Sequence, residues 1–308
     1  MIDITAKQFN DERVAREYLE GLRWPEGPIC PHCKTVGGHY TLKGKEGSEK
    51  PVREGVWKCK ACRKQFTVTV GTIFEGSHIP LHKWLLAVYL LCSSKKGMSA
   101  HQLHRMMKIT YKSAWFMAHR IRYAMTQPAL VEKLKGIIEA DETYVGGKAR
   151  GKRGRGAGNK VPVVSLVERS GRVVSQAVKR VTGNNLKKIL RTHVEKEAAI
   201  MTDDFNSYKP ATKGFARHGI INHSKKEYVN GDVHTNTVEG YFSILKRGII
   251  GVYHHVGKSH LHRYLTEFDF RYNGRKMTDV DRSVSALLGI EGKRLMYRDS
   301  SKAARSAA

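Results

Sequence analysis

Cys30-Pro-His-Cys33 and Cys59-Lys-Ala-Cys62 bracket residues 34–58 and constrain the amino-terminal part of the chain more than any other feature. Two thiolates spaced by two residues fit a tight knuckle, and two knuckles supply the four ligands of one tetrahedral Zn²⁺. The strand-like run Arg63–Val68 follows the second pair, and the polar, glycine-rich stretch between the pairs can extend as a hairpin. Residues 26–70 are therefore expected to form a zinc ribbon, folded around its metal because it has little core of its own. Four thiolates leave no open position for a substrate water, so the ion is read as structural, one per chain. A redox pair is the alternative, which two matched pairs disfavour. His32 is read as a bystander, and Cys92, in an apolar run, as a small buried hydrophobe.

Lys plus Arg number 55 against 28 acidic residues among 308, a formal charge of +27. So large an excess favours a polyanionic partner, nucleic acid before anionic membrane. The longest strongly apolar run, Trp84–Cys92, is too short to span a bilayer. The start, MIDITAKQFNDERV, has no apolar signal region, so a cytoplasmic, nucleoid-associated protein is expected.

Periodicity divides the remainder. Residues 1–25 carry an amphipathic helical pattern (Val14, Tyr18, Leu19, Leu22), and residues 80–127 read as helices throughout. Within them, HQLHRMMKI and YKSAWFMAHRIR flank a polar break at Thr110, the pattern of a helix-turn-helix. Ser99 would cap the first helix, and Tyr111, Lys112 and Ser113 would open the second, where groove contacts cluster. Trp115 reads as core. Any helical hairpin shares this pattern; the charge adds the case for DNA.

From about residue 135 the pattern turns to strands: one with Asp141, two more joined at Ser170-Gly171, a helix, then a strand ending at Asp203-Asp204. Three strands, a crossover helix and a fourth strand make an α/β layer with the fourth strand beside the first. Asp141 and Asp203 would then meet at the sheet centre, with Glu239 lowered onto them from a later helix. Converging carboxylates repel one another, and divalent cations with hard oxygen ligands relieve that conflict. Glu239 and Lys246 lie two turns apart on one face of that helix, beside the stripe Val238, Phe242, Leu245.

The stretches EADETYVGG, MTDDFNSY and HTNTVEGYFSILKRGIIGVYHHV, continuing through HLHRYLTEFDFRYN, resemble a DDE transposase of a bacterial insertion sequence. The group is the one with an amino-terminal zinc ribbon and an ISXO-type catalytic domain, and with the ribbon the resemblance covers roughly residues 10–280. It implies a ribonuclease-H-like catalytic fold and two catalytic Mg²⁺ or Mn²⁺ ions. Asp141, Asp203 and Glu239 would be the catalytic and metal-binding carboxylates, and Lys246 and Arg247 would meet DNA near the reacting phosphate. Cleavage at element ends and strand transfer into target DNA would follow, in a homo-oligomer that holds both inverted repeats.

The fold class expected is thus α/β: a ribonuclease-H-like domain (135–285) preceded by a helix (1–25), the ribbon (26–70) and a helix-turn-helix-like region (80–127), with a partly disordered tail (286–308). Asp204 and Glu142 adjoin the two aspartates but alternate to the opposite strand face. Asn236, one turn before Glu239, could replace it as an oxygen ligand or could only cap the helix. The basic loop Lys148–Lys160, with Lys152, Arg153 and Arg155, is either a solvated loop or a clamp on phosphate backbone. His254, His255, His260 and His262 read as phosphate contacts or plain surface before metal ligands, and Glu267 with Arg271 as an ordinary helix pair. The functional alternatives are a zinc-ribbon and helix-turn-helix regulator, or a nuclease that cuts without joining.

Overall fold

The computed structural model describes residues 4–44, 52–126, 132–147, 159–169, 171–222 and 227–297. They form two compact units. One gathers the described residues up to Ser94, Ala100–Met125 and those from Met277; the other holds Lys95–Ser99 and the described residues between Thr126 and Lys276.

In the first unit, helix α1 (Glu12–Arg23) starts where the Asp11 carboxylate accepts from the Val14 amide at 2.9 Å, and it buries Ala15 and Leu19 one turn apart. Strands β1 (His39–Thr41), β2 (Trp57–Cys59) and β3 (Gln65–Phe66) form an antiparallel sheet. Its buried Phe66 meets Trp24 edge-on. Helix α2 (Leu81–Ser93) is apolar nearly all round and correspondingly buried. Helix α3 (Ala100–Met107) turns through Lys108, whose φ of 50° is left-handed, into α4 (Tyr111–Ala124), capped by Thr110. Most of α4 faces inward: Met117, Ala118, Arg120, Ile121 and Arg122 are buried, and only its first turn, with Tyr111 and Lys112, is exposed.

The second unit is built on a five-stranded sheet: β4 (Ile137–Val145), β5 (Val161–Glu168), β6 (Val173–Ala177), β7 (Ala199–Asp203) and β8 (Arg217–Ile221). Its order is β6-β5-β4-β7-β8, antiparallel from β6 to β4 and parallel from β4 to β8. Helix α5 (Gly183–His193) crosses from β6 to β7, and a short α6 (Tyr208–Ala211) follows. Both pack with Ile138, Ala140, Val164 and Leu166 on one face. On the other face, α7 (Asn236–Gly248) and α8 (Leu261–Asn273) bury Val238, Tyr241, Leu245, Leu265 and Phe268 against Val145, Val163 and Val173. Each such side chain removed from water stabilises by about 1.5–3 kcal/mol. A π-helix, Ile249–Tyr253, links the two helices by way of a left-handed His254.

The free edge of β6 is occupied by side chains of α8. Asn273 accepts from the Val173 amide at 2.7 Å and Asp269 from the Ser175 amide at 2.8 Å. These groups substitute for a neighbouring strand.

The chain then returns to the first unit as α9 (Asp279–Leu288), where Arg282 donates to the Cys92 carbonyl at 2.8 Å. Residues 277–285, expected within the catalytic domain, therefore cluster with α2, because Ala286 and Leu287 on the same helix bury there. Strand β8 was not anticipated at all. The end of the expected tail, 298–308, lies outside the described residues. Among the described residues no helix is long and apolar enough to cross a membrane.

Candidate metal centres

The four ribbon cysteines converge. Their sulfurs all lie within 4.8 Å of one another, with Cys30 to Cys62 at 3.7 Å and Cys33 to Cys59 at 3.6 Å. A tetrahedron with metal–sulfur bonds of about 2.3 Å has edges of about 3.8 Å, so the set fits one Zn²⁺. Without a metal the interacting thiols divide unevenly: the Thr35 hydroxyl and amide lower Cys33 to about 6, while burial and the neighbouring cysteines raise Cys62 to about 11. His32 bonds the Gln65 carbonyl from outside the sulfur cluster.

The second cluster is built on β4. Alternation sends Glu139 and Asp141 to the α7 side and Glu142 to the opposite side, where its carboxylate accepts from the Tyr208 hydroxyl at 3.1 Å. Strand β7 runs beside β4 with Glu139 opposite Met201. Asp203 ends β7 and accepts from the Phe205 amide, whereas Asp204 lies beyond the strand and is exposed. Glu239 sits in the first turn of α7, exposed, with the Thr235 hydroxyl donating to it at 2.9 Å. Burial, then the charges of Glu142, Asp203 and Glu239, push Asp141 up to about 8. The carboxylates thus share one electrostatic neighbourhood.

They do not crowd into a single coordination sphere. Among the described residues, only the cysteines form a group of three or more ligands all within 4.8 Å. Carboxylates arranged around two ions need no common sphere. Asn236 is exposed at the first helical position, and the capping position belongs to Thr235, so Asn236 is not the cap.

Lys246 is exposed on α7 and lines a cleft of about 410 Å³ with Lys160, Glu142, Thr143 and Ile250. Arg247 folds back onto its own helix, donating to the Ser243 hydroxyl at 2.9 Å and to its carbonyl. Lys152, Arg153 and Arg155 lie outside the described residues; Lys160 is the described end of that basic loop. Lys112, in the other unit, places its ammonium 4.7 Å from the Tyr297 ring centre. No histidine cluster of metal-binding geometry occurs among the described residues.

Three groups escaped sequence reasoning. Glu139 is fully buried and accepts from the Arg169 guanidinium at 2.7 Å and from the Thr237 and Val238 amides at 2.7 and 3.0 Å. Arg169 also donates to the carbonyls of Asp232 and His234. Asp269, pushed up to about 6 by burial, accepts from the Tyr241 hydroxyl at 2.6 Å and lies 2.8 Å from the Ser175 hydroxyl. Glu267 and Arg271 prove to be a buried pair, with the Tyr253 hydroxyl as a further donor to Glu267. Two-residue alternation could have found Glu139, since it puts a second carboxylate on the buried face of Asp141; Arg169 and Asp269 left no signal.

Residues 133–273 match the family model described as an ISXO2-like transposase domain, and residues 10–65 match a transposase zinc-ribbon domain. The chain is also 31% identical over 289 residues to an uncharacterized protein in transposable element ISH50 of Halobacterium salinarum. That similarity covers 86% of this chain and 92% of the relative.

Proposed function

We propose that this chain, which belongs to the ISXO2-like transposase family, binds the ends of a DNA element, cleaves a strand there and joins the new end to target DNA. What supports this reading is the parallel register of β4 and β7, which pairs Glu139 with Met201 and, continued two residues, sets Asp141 against Asp203 on the sheet face covered by the helix that bears Glu239. The sheet order, three antiparallel strands followed by two parallel ones, agrees with a ribonuclease-H-like fold.

Asp141, Asp203 and Glu239 would supply the hard oxygen ligands that two Mg²⁺ or Mn²⁺ ions take, and such ions would offset the burial that chiefly lifts Asp141 together with the smaller repulsion from Asp203 and Glu239. When bound, two such ions activate the attacking oxygen and stabilise the leaving one in phosphoryl transfer. Around them, Lys246 and Lys160 offer cations to the phosphate backbone along their cleft. The exposed first turn of α4, with Lys112, is available to a DNA groove, beside exposed residues of α3 such as Arg105. In cleavage, water attacks a phosphodiester at the element end, the P–O3′ bond breaks, and a 3′-hydroxyl is released. In joining, that hydroxyl attacks a target phosphodiester and displaces another 3′-hydroxyl. A homo-oligomer would hold the two ends together, and one Zn²⁺ on Cys30, Cys33, Cys59 and Cys62 would organise the ribbon.

The test is metal-dependent cleavage and strand transfer on DNA carrying the inverted repeats that flank the gene. Wild-type protein is expected to perform both and Glu239→Gln neither, with end binding retained. Cleavage without transfer would make the protein a nuclease, and end binding with neither reaction a regulator.

A further inference from the structure

We infer that Glu139 is a positioning residue, which fixes the first turn of α7 so that Glu239 is presented to Asp141. This rests on the reading of Asp141, Asp203 and Glu239 as ion-binding carboxylates. Glu139 is two residues before Asp141 on the same strand face, and its side chain is wholly buried. Its two oxygens receive the Thr237 amide at 2.7 Å, the Thr237 hydroxyl at 2.9 Å, the Val238 amide at 3.0 Å and Arg169 Nε at 2.7 Å. His234 Nδ1 lies 3.1 Å away. A carboxylate at this point meets the positive end of the helix and satisfies two of the amides that have no partner within it.

The same contacts fix the helix in both rotation and translation. Thr237 and Val238 immediately precede Glu239, so the groups held by Glu139 adjoin the residue to be placed. Arg169 extends the hold backward, to the carbonyls of Asp232 at 2.7 Å and His234 at 3.1 Å. Further along the helix, Tyr241 is held by Asp269 at 2.6 Å. The Tyr241 hydroxyl also accepts from Ser175 of β6 at 3.0 Å, so Glu239 lies between two attachments of α7, one to β4 and one to α8 and β6. A slip of α7 by one residue would turn Glu239 about 100° off the sheet face. Its bond from Thr235, at the start of the same helix, does not prevent that.

Gln is nearly isosteric with Glu but turns one acceptor oxygen into a donor, facing groups that already donate. Full-length wild-type, Glu139→Gln and Glu239→Gln proteins should be compared in three measurements: Mn²⁺ binding by calorimetry, hydrogen exchange at the Thr237 and Val238 amides, and end cleavage across a Mn²⁺ series. Glu139→Gln is expected to weaken Mn²⁺ binding ~10-fold or more, the size seen when groups orienting a metal ligand are removed. Exchange at the two amides should accelerate, and cleavage should recover in large part at high Mn²⁺. Glu239→Gln should stay inactive at every Mn²⁺ concentration.

A role in stability alone would lower the melting temperature and leave Mn²⁺ affinity unchanged, and that result overturns the inference. Unchanged Mn²⁺ binding in Glu139→Gln beside a loss in Glu239→Gln overturns the inference by itself. Unchanged binding and cleavage in Glu239→Gln overturns the site reading, and this inference with it. If Glu139→Gln does not fold, Thr237→Val removes a single donor and must shift Mn²⁺ affinity in the same direction by a smaller factor; no shift there overturns the inference equally.

Discussion

Asp141 on β4 and Asp203 at the end of β7 share the offset of 62 residues that places Glu139 opposite Met201, carried two residues further along parallel strands. Corresponding positions on adjacent strands put two carboxylates side by side on one face. Glu142 and Asp204, each one residue on, differ sharply in setting. Glu142 is bonded to Tyr208 on the far face, and Asp204 is exposed beyond the strand.

Asp141→Asn and Asp203→Asn are therefore expected to reduce metal-dependent end cleavage by about a hundredfold or more, as Glu239→Gln should. Glu142→Gln and Asp204→Asn should stay within about tenfold of wild type by the same physical reasoning. Asn236→Ala completes the series. If it abolishes cleavage while Glu239→Gln remains active, the third carboxylate is misassigned by one helical turn.

Purified protein should contain about one zinc per chain under reducing conditions. Cys59→Ser should release it and raise protease sensitivity within residues 26–70, because the ribbon's three strands are only two or three residues long and cannot hold themselves together. Full zinc retention in that variant would rule out the four-thiolate assignment.

DNA affinity should fall linearly in log salt, and Lys160→Ala with Lys246→Ala should reduce the slope by about one to two units. The two lysines line one cleft, so both are expected to follow a single backbone. A slope equal to that of wild type would place them away from the bound DNA.

Asp269 gives a pH dependence with a definite sign. Its carboxyl titrates near 3.8 in the unfolded chain and at about 6 when folded, where burial outweighs the bonds from Tyr241 and Ser175. Between these values the folded state keeps a proton that the unfolded state releases. The stability this group contributes is therefore present in full below about pH 4 and is lost as pH rises through 6, amounting to about 3 kcal/mol. Denaturant unfolding of wild type relative to Asp269→Asn should show that decline between pH 4 and 7. A flat difference, or one that rises, would contradict it.

Much of the sheet unit could be read in advance, because β4, β5, β6, α5, β7 and α7 each carry a clear apolar period and lie in the order the crossover rules allow. Strand β8 escaped, since Arg-His-Gly-Ile-Ile at a sheet edge has neither alternation nor length. The π-helix Ile249–Tyr253 reads in sequence as a plain continuation of α7. In α4 the basic residues suggested a DNA-facing surface, yet Arg120 and Arg122 are buried, Arg120 donating to the Glu75 carbonyl and lying over the Trp84 ring. Charge type alone does not reveal burial when a guanidinium finds carbonyls and rings. Glu139 escaped for a related reason: alternation separates Glu142 from the other two carboxylates of Glu-Ala-Asp-Glu, but only their partners tell Glu139 from Asp141.

The bond between Glu139 and Thr237 joins residues 98 positions apart. At a synthesis rate of about 5–20 residues per second, β4 is made roughly 5–20 seconds before the helix start that neutralises it. For most of that interval Asp203 is also still unmade, and even after it is added Asp141 exists without Glu239. On the proposed function, competence to cut DNA thus arrives late in translation, with α7, rather than accumulating as the sheet grows. On the same reading, a message broken after the strand that ends at Asp203 but before codon 236 would yield the ribbon and most of the sheet without the third carboxylate.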